Sequence, residues 1–318
     1  PHYVEKPWGV DKISTVRSDV PDGMSKVGEC WCISAVPGAV TTVANGMHAG
    51  TGLDIMCLRY GERLLGFHVM RKFGCVFPML VKLIDAHDNL SVQVHPNDEQ
   101  ARANSTSECS QYIFGKTEMW YVMGCARGAE IINGFERELP AAEYEDRVRD
   151  GSLLAYLHHQ PVKPHEVYYL PAGRVHAIGR HVFVAEIQQS SDITYRIFDY
   201  GRPRELHTRQ AGQVADFGAV SDLRSRYKAF RNRSVPVVES SCFNTSVINM
   251  DGEVRLPLGY LDSFSVLMCV DGSVRVESSM GDAVELAYGE CCLVPATVAS
   301  VTLRPVDKRG RVLHTYMP

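Results

Sequence analysis

Four side chains in this sequence have donor types that could share one cation: Gln93, His95, Glu118 and His176. Gln93 and His95 lie in LSVQVHP (90–96). In a strand, alternate side chains share a face, so Val92 and Val94 would point one way and Gln93 and His95 the other. Pro96 ends that run. GKTEMW (115–120) repeats the device, with Lys116, Glu118 and Trp120 on one face. LPAGRVHAI (170–178) supplies a turn and then His176 at the start of another strand. Two imidazoles, a carboxylate and an amide oxygen are donors that zinc accepts. They would leave the cation a formal charge near +1, free to polarise a substrate carbonyl or hydroxyl. Taken singly, each residue has a plainer explanation. His95 would be a satisfied core histidine, and Glu118 an ion-pair partner of Lys116. Their joint placement on strand-like segments is what points to a metal.

The elements that must position them are mostly strands. Short β-branched and aromatic runs, punctuated by Gly, Pro and Asn-Gly, predict strands over 29–36, 90–95, 118–123, 166–170, 181–188, 193–198, 264–270, 273–277 and 291–294. Pro171-x-Gly173-x-x-His176 matches the second half of the cupin signature. Gln93-x-His95 stands where the first half normally reads His-x-His, with Glu118 farther on across an insertion. Three helical stretches are expected. Leu53, Met56, Cys57, Tyr60 and Leu64 recur at helical spacing over 51–65, with Gly66 as a stop. A second begins near Pro96 with Asn97 as cap, and a third covers 139–157. A faint repeat relates 119–131 to 263–276 and 165–178 to 289–302. The expected fold is therefore mainly β, with two cupin-like (jelly-roll) β barrels and a few short helices inserted in the N-terminal part. Residues 1–225 would form the catalytic domain. Residues 226–318 would form a second, metal-free one, because Ser300 stands where the first copy has His176.

The chain has 318 residues, enough for a sizeable core. Its net charge is −4 with both signs scattered, so no nucleic-acid tail or polybasic membrane arm is visible and any anion site must be local. The apolar runs are short of the roughly 20 residues a membrane span requires. The opening segment PHYVEKPWGV has no signal core, so a cytoplasmic address is the expectation. The ten cysteines show no CxxC spacing and read as reduced, mostly buried small hydrophobes.

KPWG (6–9), FPMLVKLIDA (77–86), LSVQVHPND (90–98), GKTEMWYV (115–122), YYLPAGRVHAI (168–178) and EIQQSSDITYRIFDYGR (186–202) together resemble class I phosphomannose isomerase, in its short bacterial form. The resemblance runs through most of the first 210 residues and is looser beyond. It implies interconversion of mannose 6-phosphate and fructose 6-phosphate with one zinc ion, held by Gln93, His95, Glu118 and His176; a monomer is the default expectation, which no motif decides. It places Lys82, Lys116, Glu186, Asp192 and Arg196 in the active-site pocket, with Trp8 near the rim. Glu186, Asp192 and Arg196 have the same parity, so an unbroken strand would aim them together; a bulge near Ser190 would spoil that count. Lys82, Lys116 and Arg196 would make a cationic pocket for phosphate. Lys82 interrupts a buried-looking run, where a charge needs a partner. Long members of the family read His-Lys-Pro-Glu where this chain has Gly115-Lys116-Thr117-Glu118, so a histidine base cannot be carried over. Glu186 or Asp192 is the expected base, with Arg196 and Lys116 steadying the developing charge. Two other readings stand beside this one: another metal-dependent cupin enzyme, such as an iron oxygenase, and a non-catalytic sugar-phosphate-binding cupin.

Overall fold

A computed structural model describes residues 1–105 and 113–318. Among the described residues, eleven strands come from the first 200: β1 (His2–Glu5), β2 (Val27–Ile33), β3 (Met79–Ala86), β4 (Val92–Val94), β5 (Glu118–Cys125), β6 (Glu130–Phe135), β7 (Leu157–Pro161), β8 (Val167–Leu170), β9 (His176–Ile178), β10 (Val182–Gln189) and β11 (Tyr195–Phe198). They pair as two sheets, in the orders β1-β2-β3-β10-β5-β8 and β11-β4-β9-β6-β7. The later strands are β12 (Arg233–Glu239), β13 (Asn244–Met250), β14 (Val254–Pro257), β15 (Ser265–Ser278), β16 (Ala283–Leu286), β17 (Cys291–Val294) and β18 (Ser300–Tyr316). They form a third sheet, ordered β12-β13-β18-β15-β16, with β14 on β18 and β17 on β15. The fold is mainly β, as expected. Among the described residues, no sheet closes on itself through hydrogen-bonded strands.

The first sheet is covered on both sides, which explains why its middle strands read as nearly unbroken apolar runs. In β10, Phe183, Ala185 and Ile187 pack into a core shared with Val237, Phe243, Val266 and Leu313 of the third sheet's segment. On its other face, Val182 and Val184 pack with Ile131 and Ile178 of the second sheet. The third sheet also folds around a core of its own, including Ile248, Leu267, Val276, Leu303 and Val312.

The helices are shorter than the periodicity suggests: α1 (Lys12–Val16), α2 (Leu53–Tyr60), α3 (Glu62–Leu65), α4 (Phe67–Phe73), α5 (Asp98–Ala103), α6 (Tyr144–Arg149) and α7 (Thr208–Val214). The stretch 51–65 breaks at Gly61, whose φ of +47° and ψ of −122° are not helical. The stretch 139–157 holds only α6 between 3₁₀ turns, because Gly151 adopts the left-handed conformation and β7 begins at Leu157. Asn97 caps α5 as expected: its side chain accepts from the Gln100 N–H, and the Gln100 side chain accepts from the Asn97 N–H. α4 is capped from a distance. The Asp262 carboxylate accepts from the Phe67 N–H at 2.8 Å and the His68 N–H at 3.0 Å. Gly66 permits this approach, because a Cβ there would collide with the Asp262 carbonyl.

Candidate metal centre and active site

The two sheets of the first part meet at His95, Glu118 and His176. Glu118 opens β5 on the first sheet, His176 opens β9 on the second, and His95 follows β4. Gln93 is the register partner of His176 across β4 and β9. The His95, Glu118 and His176 donor atoms all lie within 4.8 Å of one another, and all three residues are buried. His95 Nε2 is 3.5 Å from Glu118 Oε2, and His176 Nε2 is 3.3 Å from Glu118 Oε1.

Each imidazole is oriented by backbone. His95 Nδ1 donates to the Ile193 carbonyl at 2.9 Å, and His176 Nδ1 donates to the Arg174 carbonyl at 2.8 Å. Those bonds fix the tautomer, so each Nε2 presents a lone pair to the centre of the cluster. Burial, then the neighbouring Lys116 ammonium, hold both histidines neutral; His176 is lowered to about 3 and His95 also falls well below its ordinary value. Glu118 Oε1 is buried with no hydrogen-bond partner. A buried orphan carboxylate oxygen is costly unless something cationic completes it. Part of that demand is met by Lys116, whose ammonium donates to Glu118 Oε2 and, at 3.0 Å, to His95 Nε2. Burial favours the neutral amine, but the Glu118 and Glu186 carboxylates outweigh it and keep the Lys116 pKa raised. The donor set thus fits a metal ion that His95, Glu118 and His176 could hold. The Gln93 amide, 3.4 Å from His176 Nε2, is placed to join them.

Beside the cluster opens a cavity of about 310 Å³. Its lining includes every remaining residue expected from the sequence: Trp8, Lys82, Lys116, Glu186, Asp192 and Arg196, with Gln93 at the boundary with the cluster. One wall is a row that crosses the first sheet in register: Trp31 opposite Lys82, Lys82 opposite Glu186, Glu186 opposite Trp120. Lys82 finds the partners its burial demands, with Glu186 at 3.5 Å and Glu29 at 3.7 Å, and its ammonium lies 4.6 Å over the Trp31 ring. Trp120 Nε1 donates to Glu186 Oε2 at 2.8 Å.

The parity argument for Glu186, Asp192 and Arg196 does not describe the chain, although all three line the cavity. β10 ends at Gln189 and β11 starts at Tyr195. Between them the chain turns, with Gln188 Nε2 donating to the Ser191 carbonyl at 2.5 Å. Asp192 is exposed, whereas Glu186 is 3% exposed.

Sequence reasoning missed Lys6, Glu29, Trp31 and Arg204, which also line the cavity. For Glu29 and Trp31 a signal existed: they alternate in ECWCI (29–33), the same polar-face pattern that marked Gln93 and His95. Lys6 directly precedes Pro7-Trp8 in KPWG. Arg204 follows the last matched stretch and carried no strand pattern.

Comparison with known proteins agrees with the geometry. Residues 2–124 match the family described as phosphomannose isomerase type I, catalytic domain. A mannose-6-phosphate isomerase of Streptococcus mutans is 36% identical over 304 residues, covering 93% of this chain and 91% of that protein. A probable mannose-6-phosphate isomerase of Bacillus subtilis is 32% identical over 312 residues, covering 95% and 94%. The crystal structure of a mannose 6-phosphate isomerase from Bacillus subtilis superposes with a TM-score of 0.84 at 28% identity, over 98% of this chain and 96% of that one. On sequence similarity along nearly the whole chain, this protein belongs to the type I phosphomannose isomerase family.

Proposed function

We propose that the chain interconverts mannose 6-phosphate and fructose 6-phosphate as a zinc-dependent aldose–ketose isomerase, with Gln93, His95, Glu118 and His176 as the metal ligands. The observation that carries this reading is the buried His-Glu-His cluster, with its orphaned carboxylate oxygen, at the edge of a cation-lined cavity. Zinc suits two imidazoles with oxygen donors, and when bound it would supply a Lewis acid for a substrate oxygen.

The remaining steps fall to the protein. Isomerisation moves a proton between C1 and C2 of the sugar. Glu186 is the base we favour: it is buried at the cavity wall, steadied by Lys82 and by the Trp120 indole N–H. Asp192 is the second candidate, exposed at the mouth. Lys116, between the cluster and the cavity, is placed to donate to oxygens that become negative during the transfer. Trp8 lines the cavity together with Lys6 and Ile84. Residues 1–225 would hold all of this chemistry, and residues 226–318 would buttress the first sheet.

The test is a coupled assay for fructose 6-phosphate formed from mannose 6-phosphate, run before chelation, after it, and with zinc restored, alongside direct measurement of bound metal. Activity should disappear with the metal and return with zinc. Glu186→Gln should lower turnover by about 10²-fold or more with zinc still bound, and Asp192→Asn should have a smaller effect. Restoration by ferrous iron and not zinc would favour the oxygenase alternative. Tight sugar-phosphate binding without turnover would favour the non-catalytic one.

A further inference from the structure

Buried polar atoms without a hydrogen-bond partner are unevenly placed in this molecule. Among the described residues there are eight, and five of them lie on two rows that cross the sheets through the metal cluster. On the first sheet the row pairs Gln188 with Glu118. On the second it runs Arg196, Gln93, His176, Asn133, each the register partner of the next. Register partners put their side chains on the same face of a sheet. Arg196 and Gln93 line the cavity, whereas Asn133 stands beyond His176, away from that lining. Asn133 is 0% exposed, and both its Nδ2 and its Oδ1 lack a partner. A bulge fixes where it points. Ile131, two residues earlier, packs between the sheets with Trp120, Leu170 and Ile178. The register with β7 shifts before Phe135, Gly134 has φ +81°, and Phe135 joins a different core with Leu139 and Tyr144. Asn133 therefore shares the inner face with Ile131. An amide buried this way is costly, and a leucine of similar volume would avoid the cost.

We propose that Asn133 is a positioning residue of the metal centre, whose amide oxygen accepts from a water in the shell of the bound ion. The proposal rests on the metal-binding part of the reading above and does not depend on which sugar phosphate is the substrate. Side-chain length supports it. Gln93 and Asn133 flank His176 from equivalent positions on the two neighbouring strands. The longer Gln93 side chain brings its amide to 3.4 Å from His176 Nε2. Asn133 is one methylene shorter, and its amide stops without reaching any protein partner. One water spans that kind of shortfall. The sign of the orphans agrees. Glu118 Oε1, Gln188 Oε1 and Asn133 Oδ1 are all acceptors, and only Asn133 Nδ2 is a donor. An excess of buried acceptors suits a cation and the water protons that its shell turns outward. Outer partners of this kind hold ligands in place and tune metal affinity. Asn133 does so from the side of His176 that faces away from the cavity, so it acts on the ion and not on the sugar.

The experiment takes three readings on the full chain: zinc affinity by competition with a chelator, visible absorption of the cobalt-loaded protein, and the denaturation midpoint of the metal-free protein. Asn133→Leu should weaken zinc binding by about tenfold or more and shift the cobalt bands. Its metal-free midpoint should not fall, because an orphaned amide has been replaced by apolar volume. Asn133→Ala should shift zinc affinity and the cobalt bands in the same direction by less, and it serves if the leucine variant does not fold. Tyr144→Phe is the control. It removes an orphaned hydroxyl from the core that holds Phe135, and it should leave zinc affinity and the cobalt bands unchanged. Folded Asn133 variants that behave like this control would overturn the assignment. A wild-type protein that binds neither zinc nor cobalt would sink the metal reading, and this assignment with it, before any variant is compared. Zinc affinity that depends on Asn133 in a protein that does not turn over mannose 6-phosphate would uphold the assignment and sink the isomerase reading instead.

Discussion

Glu29 shows how one buried acid organises several neighbours. Trp31 Nε1 donates to its Oε2 at 2.8 Å, and Lys6 and Lys82 flank it. Burial alone would raise the carboxyl pKa, but the Lys82 and Lys6 charges outweigh burial and lower it from 4.5 to about 2. A group whose pKa is depressed by folding stabilises the fold above its unfolded value. That contribution is lost as pH falls through the folded one. The stability difference between wild type and Glu29→Gln should therefore be roughly 3 kcal/mol near neutrality and shrink between pH 4.5 and about 2. Denaturant titrations at a series of pH values read this directly, and a difference that is flat with pH would contradict it. At the cluster, His176→Ala should abolish stoichiometric metal binding, because it removes one imidazole and exposes the Glu118 oxygen it faces at 3.3 Å. Metal analysis after dialysis checks this without reference to turnover.

At the scale of elements, the turn before β9 decides where two ligands point. Gly173 has φ +85°, its N–H donates to the His95 carbonyl at 2.9 Å, and its carbonyl accepts from the Asp216 N–H at 2.7 Å. An L side chain in that conformation costs about 1–2 kcal/mol. Gly173→Ala should lower the unfolding free energy by that amount and also weaken metal affinity, since the strain falls between His95 and His176. Loss of stability with unchanged metal affinity would separate the turn from the site. This turn was legible because Pro171, Gly173 and His176 are local in sequence, as was the Asn97 cap with Gln100 three residues on. Other parts were not. The break at Gly61 depends on a backbone angle that helical spacing does not encode. Asp192 reaches the cavity on an irregular segment, so parity could not place it. Arg204 owes its position to Asp199 and Arg202, a side-chain lattice with no periodic trace.

For the whole molecule, the central question is how strongly the two parts depend on each other. Phe77, just before β3, packs on Phe264, just before β15, with ring centroids 4.5 Å apart, and both are fully buried. Phe264→Ala should cost about 3–5 kcal/mol. The three tryptophans, Trp8, Trp31 and Trp120, all lie in the first 225 residues. If the shared core makes one cooperative unit, tryptophan fluorescence will report the destabilisation even though the substitution is in the later part. An unshifted fluorescence transition would show that the parts unfold separately. The distant cap on α4 has a consequence for the order of synthesis. A ribosome makes Phe67 some 195 residues before Asp262, the acid that satisfies its N–H. Throughout that interval the start of this short helix has no protein acceptor from its eventual partner. The helical insert of the nascent chain can therefore reach its final form only once the later sheet's segment has emerged and docked.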